Sequence, residues 1–163
     1  MINLFYPSSL LPHKNHHALL KKDLNVCLAD LNIKLFLTIN PPCSKHFSNI
    51  ICLGRISKSD CSSHLLNSTA LLWVSSIESF GLPLFEAAKF DKPIIALDMP
   101  YITSIFNDGI YKIRDLSSHQ ICETLHHFST EYHNSSLMKP SLRYSFNHPS
   151  IFLQKFHNAL NEN

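Results

Sequence analysis

The stretch Ala70-Leu71-Leu72-Trp73-Val74-Ser75-Ser76-Ile77-Glu78-Ser79-Phe80-Gly81-Leu82-Pro83-Leu84-Phe85-Glu86-Ala87-Ala88 decides the fold. Its first part, Ala70 to Val74, is apolar without interruption, the pattern of a strand covered on both faces. From Leu82 to Phe90 the apolar positions recur with helical period. Pro83 suits the first turn of that helix, where its missing N–H costs nothing, and Gly81 lets the backbone approach a ligand closely. A buried strand, a short loop and a helix in this order form an α/β unit.

Working outward, the same alternation recurs along the chain. Ile2 to Tyr6, Ile33 to Ile39, Asn49 to Leu53, Ile94 to Leu97 and Ile110 to Ile113 also read as strands, with Pro93 just before one of them. Leu20, Leu24, Cys27, Leu28 and Leu31 form the stripe of an amphipathic helix. Further helices are expected near Cys61 to Leu66, Ile121 to Phe128 and Ile151 to Leu160. Strand and helix in alternation predict a doubly wound, mainly parallel sheet. Asn40-Pro41-Pro42 and the polar stretch from Asn134 to Ser141 read as loops.

With 163 residues, one domain covers the chain, and an apolar fraction of 45% is ample for a single core. Net charge is +2 with scattered Lys and Arg, so the electrostatic footprint of a nucleic-acid binder is missing. No apolar run reaches the length of a transmembrane segment, and the first residues lack the pattern of a signal peptide. The expected location is cytoplasmic, with peripheral association at a membrane left open. Five cysteines without a C-x-x-C pair read as free thiols. Cys43 with His46 and Cys61 with His64 have zinc-like spacing. In a chain with 11 histidines such pairs arise by chance, and no metal site is expected.

In open parallel sheets ligands bind beyond the carboxyl ends of the strands. The segment after Val74 lies there. A helix start offers free N–H groups and a positive dipole end to a phosphate. Glu86, about one turn in, is placed to accept from hydroxyls beside that phosphate, as a ribose would present. Glu78, on the strand-end loop, is placed for a second polyol. A phosphate flanked by two carboxylates fits a sugar nucleotide. The competing reading of the same pair is that of solvated helix-end carboxylates.

Two glutamates separated by seven residues, within E-S-F-G-L-P-L-F-E-A, resemble the signature of glycosyltransferase family 4, the group 1 glycosyltransferases. F-Y-P-S-S-L-L-P-H-K-N-H, I-C-L-G-R-I-S and K-P-I-I-A-L-D-M-P-Y carry the resemblance across most of the chain. It implies a Rossmann-like domain, similar to the C-terminal, donor-binding half of a GT-B enzyme. It implies that Glu78 is the catalytic glutamate and orients the donor sugar, that Glu86 binds the ribose, and that Gly81 and Leu82 offer backbone N–H groups. Lys14 matches the lysine that faces the diphosphate, its other reading being an ordinary surface lysine. Ser9 stands where many members carry an arginine, and Arg55 lies where the chain passes the nucleotide.

The implied reaction is transfer of a hexosyl group from a nucleoside-diphosphate sugar to an acceptor hydroxyl, with retention and without a cofactor or metal, in the synthesis of surface polysaccharide or other glycans. The match begins almost at Met1. The resemblance therefore implies a chain without the N-terminal acceptor domain, served by a separate acceptor-domain protein, and ending in a helix at about 148–160. The alternative is a non-catalytic sugar-nucleotide-binding subunit or an inactive fragment of a split glycosyltransferase. The histidines His13, His16 and His17 read as solvated, and Asp98 as a strand-end turn residue.

Overall fold

The computed structural model describes residues 1–40 and 47–143. The helix expected at about 148–160, and the Cys43 and His46 pair, lie outside the described residues.

The main sheet contains β1 (Ile2–Tyr6), β2 (Ile33–Leu37), β3 (Ile50–Cys52), β4 (Ala70–Trp73), β5 (Ile94–Leu97) and β7 (Ile110–Ile113). Its order is β3-β2-β1-β4-β5-β7, and every pairing is parallel. All six expected strands are present, with ends one or two residues shorter for β2, β3 and β4. β4 and β5 are buried at every residue, which is why their sequences carry no alternation.

Between β1 and β2 the expected helix is α2 (Lys22–Asp30), and a one-turn helix outside the expected stripe, α1 (His16–Leu19), precedes it. The other helices are α3 (Lys58–Asn67), α4 (Leu82–Lys89), α5 (Pro100–Ile105) and α6 (Ser118–His133). Two of them begin on serine caps. Ser57 accepts from the Asp60 N–H at 3.1 Å and Ser117 from the Gln120 N–H at 3.2 Å, each pairing a donor that the helix itself leaves free.

A second, two-stranded antiparallel sheet joins β6 (Phe106–Asp108) to β8 (Ser141–Leu142). It ties the segment after α6 back onto the main body. The Met138 N–H donates to the Tyr111 hydroxyl at 2.9 Å, and the Arg143 N–H to the Ile105 carbonyl at 2.8 Å. Gly109, at φ +81°, lies directly beneath this segment.

The core is one cluster spanning the sheet and the inner faces of the helices. Trp73, Tyr6, Tyr111, Phe5 and Phe128 are its largest fully buried side chains. His64 stacks on Phe5 with ring centroids 5.5 Å apart, so its place beside Cys61 in the sequence serves packing. Cys27, Cys61 and Cys122 are free thiols, whereas Cys52 is disulfide-bonded, against the free-thiol expectation. Spacing along a chain does not record which loops the sheet brings together. No described helix is long and apolar enough to cross a membrane.

Candidate donor site at the carboxyl edge of the sheet

From β1 the chain winds outward to β2 and β3; from β4 it winds the other way to β5 and β7. The order therefore reverses between β1 and β4. In sheets of this kind that reversal opens a crevice at the strands' carboxyl ends. The loops leaving β1 and β4 meet there and are stitched together through backbone groups. The Ser76 N–H donates to the His13 carbonyl at 2.9 Å, and the Asn15 side-chain amide donates to the Val74 carbonyl at 2.8 Å. Asn15 itself adopts φ 54°, a left-handed conformation that Asn tolerates better than most residues.

This stitching joins two residues that stand 64 positions apart: Lys14 Nζ forms an ion pair with Glu78 Oε1. Their side chains are only 12% and 11% exposed, so each charge depends on the other for compensation. The Lys14 ammonium also lies 5.3 Å from the centre of the Trp73 ring, within cation–π range. Lys14 is thus a partly buried, oriented cation.

Gly81 caps α4 at φ 60°, the conformation that permits Phe80 to lead directly into a helix whose first turn carries Pro83. Leu82 is exposed at that first turn, and Glu86 is half-buried one turn further along. The Cys61 thiol of α3 is pushed up by burial and, secondarily, by the Glu86 charge, which puts Glu86 within electrostatic reach of α3. The structure therefore brings Lys14 and Glu78 together, sets Gly81 and Leu82 at the helix start, and places Glu86 on the α3 side of that start.

On that same side a cleft of about 710 Å³ opens beyond β1, β2 and β3. Ser9, Asn40, Arg55, Lys58, Cys61 and Pro83 are among its walls. Arg55 and Lys58 make it a basic recess next to the α4 N-terminus. Lys58 carries no signal in the sequence beyond following a strand end. Asp98 pairs with Lys112 at 3.0 Å on the exposed surface, as suits a strand-end residue.

Against expectation, His16 is buried at 3% exposure rather than solvated. Its Nε2 lies 2.9 Å from the Ser8 hydroxyl and 3.1 Å from the Ser9 carbonyl, and its ring stands 5.1 Å from that of Tyr6. Burial lowers its pKa below the ordinary 6.5. The unfolded chain therefore binds the proton more readily, and stability rises with pH across the interval below 6.5. We expect a melting temperature that is level above pH 6.5 and falls as the solution is acidified below it, with the slope reduced in His16→Gln. An unchanged slope in thermal melts between pH 5 and 7 would contradict this account of His16.

Leu10, Leu11, Ile77 and Leu82 are large exposed apolar side chains, and all four sit on the loops and helix start around this site.

Several solved structures share the fold. The catalytic domain of cholesterol-α-glucosyltransferase from Helicobacter pylori superposes with a TM-score of 0.65 at 11% identity, covering 99% of both chains. The pneumococcal O-GlcNAc transferase GtfA, crystallised with UDP and GlcNAc, matches with a TM-score of 0.62 at 18% identity over 98% of this chain and 32% of its own. Anabaena HepE in complex with UDP and glucose gives 0.64 at 15% identity, over 83% and 40% respectively. The chain thus spans about a third of the length of GtfA. No curated protein sequence matches it. The family model for glycosyl transferases group 1 matches residues 45–128, more than half of the chain, from ahead of β3 into α6 and across both glutamates. With that pattern running through a Rossmann-like sheet of the kind found in GT-B glycosyltransferases, the chain belongs to the group 1 glycosyltransferases.

Proposed function

We propose that this chain binds the sugar-nucleotide donor and serves retaining transfer of a hexosyl group from a nucleoside-diphosphate sugar to an acceptor hydroxyl. The observation that carries this is the meeting of Lys14 and Glu78 at the β1/β4 reversal, beside the start of α4. The crystal structures of GtfA with UDP and GlcNAc and of HepE with UDP and glucose support a uridine diphosphate sugar as the ligand class.

In this reading the diphosphate lies between Lys14 and the N–H groups at Gly81 and Leu82. Fixed dipoles there stabilise the leaving diphosphate while positive charge grows on the sugar ring. Glu78 orients the sugar, and Glu86 takes the ribose hydroxyls from the side of the basic cleft. No metal or cofactor is assigned a role. The acceptor is brought by a separate acceptor domain, and the product belongs to surface polysaccharide or related glycans made in the cytoplasm or at its membrane face.

Ser9 favours a second reading, a donor-binding subunit without transfer activity, because a neutral serine at the cleft leaves the diphosphate with less positive charge than an arginine would supply.

Calorimetry with UDP, UMP and UDP-glucose tests the assignment. UDP is expected to bind more tightly than UMP. Lys14→Ala and Glu86→Ala are each expected to weaken UDP binding about tenfold to a hundredfold, the value of one charge-assisted hydrogen bond. Thermal melts of both variants separate lost binding from lost folding. Unchanged affinity in either folded variant removes that residue from the site.

A further inference from the structure

Two tyrosines stand directly behind the pair that the functional reading rests on. Tyr6, the last residue of β1, is fully buried, and its hydroxyl donates to the backbone carbonyl of Lys14 at 2.8 Å. Its ring meets Trp73 edge-on, with centroids 5.4 Å apart. Tyr101, in the first turn of α5, donates to the backbone carbonyl of Ser75 at 2.6 Å. Ser75 has no exposed surface, and its own hydroxyl donates to the Ile77 carbonyl at 2.9 Å. The residue after Ile77 is Glu78.

Each charged group of the pair is therefore carried on a backbone segment held by a phenol from a different element. Burial raises the pKa of both phenols, and the Glu78 charge raises each further, which puts both hydroxyls within electrostatic reach of that carboxylate. Both remain protonated donors at neutral pH. A phenol that served packing alone would need only some acceptor. These two take the carbonyl of Lys14 itself and that of Ser75, three residues before Glu78.

Resting on the donor-site reading above, we propose that Tyr6 and Tyr101 are positioning residues for the donor, Tyr6 setting the diphosphate-facing Lys14 and Tyr101 setting the sugar-facing Glu78. The two halves of the ligand are then gauged from two independent elements, β1 and α5. The sugar contact then depends on α5.

The test uses the full chain with UMP, UDP and UDP-glucose in calorimetry, comparing wild type, Tyr6→Phe and Tyr101→Phe. Phe keeps the ring and removes only the donor. Tyr101→Phe is expected to lower the UDP-glucose to UDP affinity ratio about three- to tenfold while leaving the UDP to UMP ratio within about twofold. Tyr6→Phe is expected to lower the UDP to UMP ratio by a similar factor. Tyr101 is only part-buried, so its variant is the one sure to leave the core closed and carries the test if Tyr6→Phe melts below the working temperature.

A purely structural role would lower the melting temperature and shift all three ligands by the same factor, and that result overturns the proposal. Unchanged ratios in a folded Tyr101→Phe overturn it as well. A wild-type chain that binds none of the three overturns the donor-site reading, and this proposal with it.

Discussion

Assayed alone, the chain is expected to bind donor yet transfer sugar several orders of magnitude more slowly than when a matching acceptor domain is added. Holding two reactants in line is worth roughly 7 to 11 kcal/mol of barrier, and on the proposed reading this sheet edge holds the donor alone. The exposed Leu10, Leu11, Ile77 and Leu82 ring the site where such a domain would dock. An open site also admits water, so slow hydrolysis of the donor is expected in place of transfer. Addition of an acceptor domain should restore transfer, and Glu78→Ala should abolish it again. Anomer-resolved detection of products over a panel of donors and acceptors reads both effects. Efficient transfer by the pure monomeric chain would refute the expectation.

Gly109→Ala is expected to be the most damaging small substitution for stability. A Cβ at this position would sit inside contact distance of the Lys139 carbonyl oxygen and only 2.6 Å from its carbon. The obstacle is backbone, so no rotamer relieves it. The residue also lies at φ +81°, which an L side chain adopts only at a cost. Overpacking and left-handed strain together suggest a loss of about 3 to 5 kcal/mol. The cheapest escape is detachment of the 137–143 segment, which would break the β6/β8 pairing. Denaturant melts should show this loss. By comparison, a Cβ at Gly81 would meet only the flexible end of Leu84 at 2.9 Å, so Gly81→Ala should be milder. Equal losses at the two glycines would show that backbone crowding is not the cause.

What the sequence conveyed and what it concealed divide along physical lines. β4 and β5 were legible because strands buried on both faces must be apolar throughout, and β1 and β7 because all but one residue of each is buried. α1 was not, because its four residues make barely one turn. α5 has six residues, too few for a period to emerge. β6 and β8 owe their structure to pairing between Phe106 and Leu142, a contact to which neither local sequence points.

At the site, Glu78, Gly81 and Glu86 were legible as a group because one strand-loop-helix passage carries all three. The Lys14 pairing was not, since it requires the order reversal to bring two loops together. Tyr6 and Tyr101 left no trace, because they act on carbonyl groups, which every residue possesses.

The ion pair between Lys14 and Glu78 has one more consequence. These groups satisfy each other, so an incoming ligand must compete with the protein's own charges. An anion that pulls Lys14 off Glu78, rather than sharing its ammonium as UDP does in the proposed site, strands a largely buried carboxylate, and a neutral sugar that captures Glu78 strands a largely buried ammonium. Either leaves an uncompensated charge at a cost of several kcal/mol. A ligand that carries an anionic group and hydroxyls at the right separation escapes both penalties. On the proposed donor-site reading the pair works as a coincidence lock, penalising any ligand that breaks it and favouring a molecule that presents both keys at once.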